Sequence, residues 1–177
     1  MRLFIGINFA DKQKGYLKKM QNGLAVNLEK GRPVREENFH TTLLFLGDTP
    51  ADKLQELCNL LQTVAKRNAK FMTSFIDTTL FNNGCAVAKL KPTKGLLALH
   101  CDLAETLASY TKRNAAKYIP HTTLYRDAKF TMPYKEVKKT VAVLNMPFDV
   151  DEITLFESTY GATGLEYIPL TFFKLGR

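Results

Sequence analysis

At 177 residues the chain is long enough for one domain, or for two small lobes sharing a core, and too short for several independent ones. Hydrophobic residues at 45% and charged residues at 24% exclude a disordered or fibrous chain. The 25 Lys and Arg against 17 Asp and Glu leave a net charge of +8, which favours anionic partners such as nucleic acid without demanding one.

The opening run Leu3–Phe9 reads as a largely buried strand. It lacks the basic region and small-residue cleavage site of a signal peptide, and no stretch approaches a membrane-spanning length. Leu17, Met20, Leu24 and Leu28 recur at helical spacing and predict a helix over Asp11–Leu28, with Lys12, Lys14, Lys18 and Lys19 mostly on its solvated side. Gly31 and Pro33 break that pattern before a strand around Phe39–Leu46. Thr49-Pro50 with Asp52 predicts a capped helix start, and Leu54, Leu57, Cys58, Leu61 and Ala65 form its apolar stripe. Phe71–Leu80 and Cys85–Leu90 flank Asn82-Asn83-Gly84, a hairpin turn signal. A third helix is expected from Lys94 to Lys112, with Leu96, Leu99, Leu103 and Leu107 inward. His100 sits on the edge of that face, where a histidine is most often a satisfied, partly buried side chain. A strand at Tyr118–Tyr125, a short helix at Tyr134–Val143 and strands at Val150–Thr159 and Tyr167–Phe173 complete the series, the last two joined through Gly161–Gly164. Cys58, Cys85 and Cys101 are an odd number without paired spacing. They predict reduced thiols in the cytoplasm, with neither a disulfide framework nor a zinc site.

Within this series one tetrapeptide occurs twice. His40-Thr41-Thr42-Leu43 returns as His121-Thr122-Thr123-Leu124, 81 positions on, close to half the chain, and the pair uses two of only three histidines. Both copies lie in strand-like surroundings, so His40 and Thr42 share one face and Thr41 and Leu43 the other, with His121 and Thr123 arranged alike. Two half-chains can therefore aim two imidazoles and two hydroxyls into one cleft. Imidazoles exchange protons near neutral pH and threonine hydroxyls donate to phosphate oxygens, which points to phosphate chemistry. Each proton-transfer role typically contributes about 10²–10⁴ in rate, so two supply much of an acceleration without a metal. Glu36, Glu37 and Asp127 near the motifs read as exposed loop charge, and neither metal nor cofactor is expected. The approximate repetition of strands and helices in the two halves predicts an α+β fold with pseudo-twofold symmetry.

The segment Glu37–Gly47 resembles the first signature of the two-histidine (2H) phosphoesterases, and within them the RNA 2′,3′-cyclic phosphodiesterases, also called 2′-5′ RNA ligases. His121–Arg126 resembles the second signature, and Arg2–Ile5, Leu155–Ser158 and Tyr167 extend the likeness over nearly the whole chain. Where the family often has Arg-Trp-Val ahead of the first motif, this chain has Arg32-Pro33-Val34, and Tyr125 stands where a small residue is common. The resemblance implies a single bilobed catalytic domain over 1–177, two antiparallel sheets each backed by helices around a central cleft. It implies His40 as proton donor and His121 as proton acceptor, with water opening an RNA 2′,3′-cyclic phosphate to a 2′-phosphate, and 2′-5′ joining as the back reaction. Thr42, Thr123 and Arg126 are the phosphate-binding residues it implies. Strand parity alone points Arg126 away from His121, because five is an odd offset, unless the strand bulges there.

Two other readings start from the same residues. One is a phosphodiesterase for 2′-5′-linked oligonucleotides, with the same histidines and another binding surface. The other is a non-catalytic RNA- or nucleotide-binding module, against which two intact His-x-Thr copies argue, since binding needs no matched acid and base. The expected partner is RNA or an oligonucleotide with a 2′,3′-cyclic phosphate. Neither a membrane nor a protein partner is indicated.

Overall fold

Strand β1 (Arg2–Asn8) is apolar and buried from Leu3 to Ile7, with Arg2 and Asn8 exposed at its ends. A computed structural model describes residues 1–111, 118–143, 145–162 and 164–177. Helix α1 (Asp11–Ala25) buries Tyr16, Leu17, Met20, Gln21 and Leu24. It ends three residues before the expected Leu28, which instead opens an unpredicted strand, β2 (Leu28–Pro33). Leu28 continues the helical apolar spacing, but it pairs with Phe130 and its side chain lies beside Gly31, so it belongs to the sheet. The first motif strand is β3 (His40–Asp48).

Thr49 does not cap a helix. Its backbone exchanges hydrogen bonds with Met1, prolonging the pairing of β3 with β1, and its hydroxyl donates to the carbonyl of Gly47. A 3-10 turn over Ala51–Lys53 therefore precedes α2 (Leu54–Arg67), which buries Leu57, Leu61, Val64 and Ala65. Strands β4 (Phe71–Leu80) and β5 (Ala86–Leu90) form the expected hairpin, with Gly84 at φ +79° supplying the left-handed turn residue. Helix α3 (Lys94–Thr106) is capped by the Thr93 hydroxyl and ends short of the expected Lys112, with a turn over 107–110; Lys112 itself lies outside the described residues.

The second motif strand is β6 (His121–Phe130). After it the predicted ten-residue helix contracts to α4 (Tyr134–Val137) and a 3-10 turn over Lys138–Thr140. Then follow β7 (Pro147–Val150), of which the sequence predicts only Val150 in a strand, β8 (Glu152–Gly161) and β9 (Gly164–Lys174).

The strands form two antiparallel sheets, a four-stranded one ordered β3-β1-β8-β9 and a five-stranded one ordered β2-β6-β5-β4-β7. The expected α+β architecture is thus present, with one sheet gathering both ends of the chain and each motif strand in a different sheet. Helices α1, α2 and α3 bury leucines against these sheets, so side chains alternating to the other face are left for the cleft.

Candidate active site

The two motif strands meet through their second residues. The Thr41 and Thr122 hydroxyls lie 2.9 Å apart, both side chains buried, which joins one sheet to the other at symmetric positions of the repeat. On the opposite face of each strand stand His40 with Thr42 and His121 with Thr123, partly buried in both copies.

Each histidine is held in the same way. The His40 Nδ1 lies 2.8 Å from the Asn38 carbonyl and the His121 Nδ1 lies 2.7 Å from the Ile119 carbonyl, in each case two residues back. A carbonyl only accepts, so Nδ1 carries the hydrogen and each neutral ring keeps a basic Nε2. The His40 Nε2 lies 3.1 Å from the Thr42 hydroxyl. Aromatic rings set the imidazole planes. Phe4 and Tyr167 lie 4.8 and 4.7 Å from the His40 ring centre, and Phe81 packs edge-on at 4.9 Å from His121.

Past each second threonine comes a β-bulge. On β3, Thr42 stands opposite Gly6 and Leu44 opposite Ile5, leaving Leu43 as the extra residue. On β6, Thr123 stands opposite Val87 and Tyr125 opposite Ala86, leaving Leu124 extra. An extra residue shifts the alternation by one. Leu43-Leu44 and Leu124-Tyr125 are consequently buried in succession, and Phe45 and Arg126 return to the histidine face. This resolves the parity conflict at Arg126. It also accounts for Tyr125, a core residue whose hydroxyl donates to the Gln21 carbonyl.

The bulge carbonyls are taken up by side chains of other elements. The Tyr118 hydroxyl donates to the Thr42 carbonyl at 3.0 Å, and the His100 Nδ1–H donates to the Leu43 carbonyl at 2.9 Å. The His100 and Tyr118 rings stack in parallel 3.8 Å apart. In the other copy the Gln21 Nε2 donates to the Leu124 carbonyl and the Val34 carbonyl, both at 2.8 Å. His100 is thus the satisfied, partly buried histidine its position predicted. Gln21, Tyr118 and the side chain of Asn38 were missed. Gln21 had a visible signal, a polar residue within the buried stripe of Leu17, Met20 and Leu24.

Arg126 connects the two lobes chemically. Its guanidinium donates to the Tyr167 hydroxyl at 3.1 Å, and Tyr167 lies edge-on against His40. Asn38 fixes Tyr167 in turn, accepting from its backbone N–H at 3.2 Å and donating to the Leu165 carbonyl at 2.9 Å. Burial pushes the His40 imidazole down to about 4, against the raising effect of the Asn38 carbonyl, and the charges of Arg126 and His121 lower it further. His121 is depressed chiefly by burial and also by Arg126, opposed by its bond to Ile119. Burial and the Arg126 charge therefore both favour the neutral imidazoles, an effect that a bound anion would oppose.

Among the described residues no group of three or more His, Cys, Asp or Glu side chains converges to hold a metal ion. A separate cavity of about 300 Å³, lined by Asn8, Gln13, Asp149, Asp151 and Glu152 among others, contains neither histidine and has the wrong charge for phosphate.

This fold and the paired histidines have counterparts among phosphoesterases. Residues 7–86 match the family described as LigT like Phosphoesterase, a stretch that contains the first motif. The RNA 2′,3′-cyclic phosphodiesterase of Methanocaldococcus jannaschii is 27% identical over 173 residues, 94% of this chain and 96% of that protein. The enzyme of the same name from Geobacillus stearothermophilus is 25% identical over 166 residues, 90% of this chain, and the match spans only about half (53%) of that longer relative. The crystal structure of Escherichia coli LigT complexed with 3′-AMP superimposes with a TM-score of 0.80 at 27% identity, covering 99% of this chain and 98% of that one. The chain is thus similar to LigT-like phosphoesterases along nearly its whole length.

Proposed function

We propose that the chain is a metal-independent RNA 2′,3′-cyclic phosphodiesterase working as a single bilobed catalytic domain. The observation that carries this reading is the pair of equivalently held imidazoles, each with Nδ1 tied to a carbonyl and a basic Nε2, on strands joined at Thr41 and Thr122. His121 Nε2 takes a proton from water as its oxygen bonds to phosphorus. The bond from phosphorus to the 3′ oxygen breaks, and that oxygen takes a proton from His40, leaving a 2′-phosphomonoester. Thr42 and Thr123 donate to the non-bridging oxygens and Arg126 offsets their growing charge. Phe45, 43% exposed on the same face, offers its ring to the terminal base.

For this division of labour one imidazole must be protonated, whereas burial and Arg126 favour both being neutral. The bound phosphodiester supplies the compensating negative charge, so protonation of His40 accompanies substrate binding. That the similar Escherichia coli LigT forms a complex with 3′-AMP supports a nucleotide ligand for this chain. With a 5′-hydroxyl in place of water the same steps join RNA ends through a 2′-5′ bond. Free Cys58, Cys85 and Cys101 support a cytoplasmic setting. In kinetics on an oligonucleotide ending in a 2′,3′-cyclic phosphate, His40→Ala and His121→Ala should each lower turnover at least about a hundredfold with an unchanged circular dichroism spectrum. Near-normal turnover in either variant would refute the mechanism.

A further inference from the structure

Strand β2 is the edge of the five-stranded sheet, and its register with β6 sets cation against cation. Arg32 stands opposite Arg126 and Lys30 opposite Lys129. Residues opposed in an antiparallel pair share a face, and Lys30 and Arg32, two apart on β2, share one as well. On β6 the spacing is kept by Asp127, held at φ +51°, which absorbs an extra residue so that Ala128 is buried and Lys129 exposed. Arg126 is on the histidine face, so the four cations form a strip leading out of the cleft. Lys129 is within roughly 10 Å of Arg126 along the strand.

Like charges directly opposed across a ladder are destabilising. A lysine on an edge strand guards against sheet-to-sheet aggregation, which accounts for Lys30 and not for its opposite cation on the inner strand. Asp127 offsets one charge by accepting from the Arg32 guanidinium, with Nε at 2.8 Å, and Glu29 adjoins Lys30 in the chain. Four cations against these two carboxylates still leave the strip positive where it meets the site.

We propose that this strip binds the sugar-phosphate backbone of a single-stranded polynucleotide whose cyclic-phosphate end lies between His40 and His121. The substrate class is then the end of an RNA strand, not a free cyclic mononucleotide. The inference rests on the cyclic-phosphodiesterase reading and extends it to the next phosphates of the strand. Each lysine neutralises a backbone phosphate and releases a counterion, so the contribution falls with salt.

The test compares the parent with a Lys30→Gln/Lys129→Gln double variant on adenosine 2′,3′-cyclic phosphate and on a single-stranded RNA ending in the same nucleotide. The double variant should lose on the order of tenfold in kcat/KM for the RNA at low salt, and its log–log salt slope should be shallower by about 1.4, or about 0.7 per cation. Its kcat/KM for the mononucleotide should match the parent's. An equal loss on both substrates, or no loss on RNA, overturns the proposal. If the parent opens neither substrate, the cyclic-phosphodiesterase reading fails separately. Fluorescence anisotropy with a 3′-phosphorylated RNA then judges the strip alone: weaker binding by the double variant supports it, and equal binding overturns it.

Discussion

Arg126 is the residue on which the two lobes' chemistry converges. It reaches the histidine face because of one extra residue in β6, it donates to Tyr167, and its charge lowers both imidazoles. In the proposed reaction a guanidinium so placed would bind the transition state better than the ground state, because attack on a phosphodiester places more charge on the non-bridging oxygens. Arg126→Ala should cost roughly 2–4 kcal/mol of transition-state stabilisation, mainly in kcat, and Arg126→Lys should recover only part. Steady-state kinetics on a cyclic-phosphate dinucleotide decide this, and an alanine variant within about threefold of the parent would reduce Arg126 to a surface charge. The same alanine variant should shift both histidine titrations upward by NMR, since a neighbouring cation disfavours the imidazolium.

At the scale of the element, the bulge is the device that makes a short motif into a site. It breaks the ladder at Leu43 and at Leu124, and the carbonyls there bond to Tyr118 and His100 in one copy and Gln21 in the other. Removing the Tyr118 hydroxyl leaves its ring against His100 and the Thr42 carbonyl without that donor. Tyr118→Phe should therefore lower kcat about tenfold with little change in KM, and cost about 1–3 kcal/mol of stability. Kinetics well below the melting temperature separate the two effects. If kcat and KM are unaltered while the melting temperature falls, Tyr118 only stabilises the strand and does not position Thr42.

For the whole molecule, the pseudo-twofold repeat buries polar chemistry at the junction of two sheets, and stability must depend on pH as a result. The folded His40 titrates at about 4 against an ordinary 6.5, and His121 is also depressed. Between those values the unfolded chain binds protons that the folded chain refuses. The stabilisation is therefore complete above about pH 6.5 and is lost as pH falls toward 4, with a limiting slope of about 1.4 kcal/mol per pH unit for each histidine. Urea denaturation across that window should show the decline, and His40→Gln should flatten it by close to one proton. An identical pH dependence in parent and variant would mean that His40 is not depressed in the folded protein.

The duplicated His-Thr-Thr-Leu at half-chain spacing was enough by itself to single out the two histidines and the face each shares with Thr42 or Thr123, and the order of strands and helices predicted the α+β architecture. A local pattern sets side-chain alternation, and alternation within a strand needs no knowledge of its neighbours. Helix ends and weak strands were less legible. Leu28 kept a helical spacing while belonging to β2, and Thr49 spent its backbone on Met1 instead of on a helix, because both outcomes depend on partners distant in sequence. The position of Arg126 was undecidable from its offset, since a bulge is defined by the register of two strands. The roles of Gln21, Tyr118 and Asn38 follow from carbonyls exposed by that register or turned toward another lobe. The alternation of each motif strand is written in its own residues, but which carbonyls need a donor is settled only when strands from opposite halves of the chain pack together.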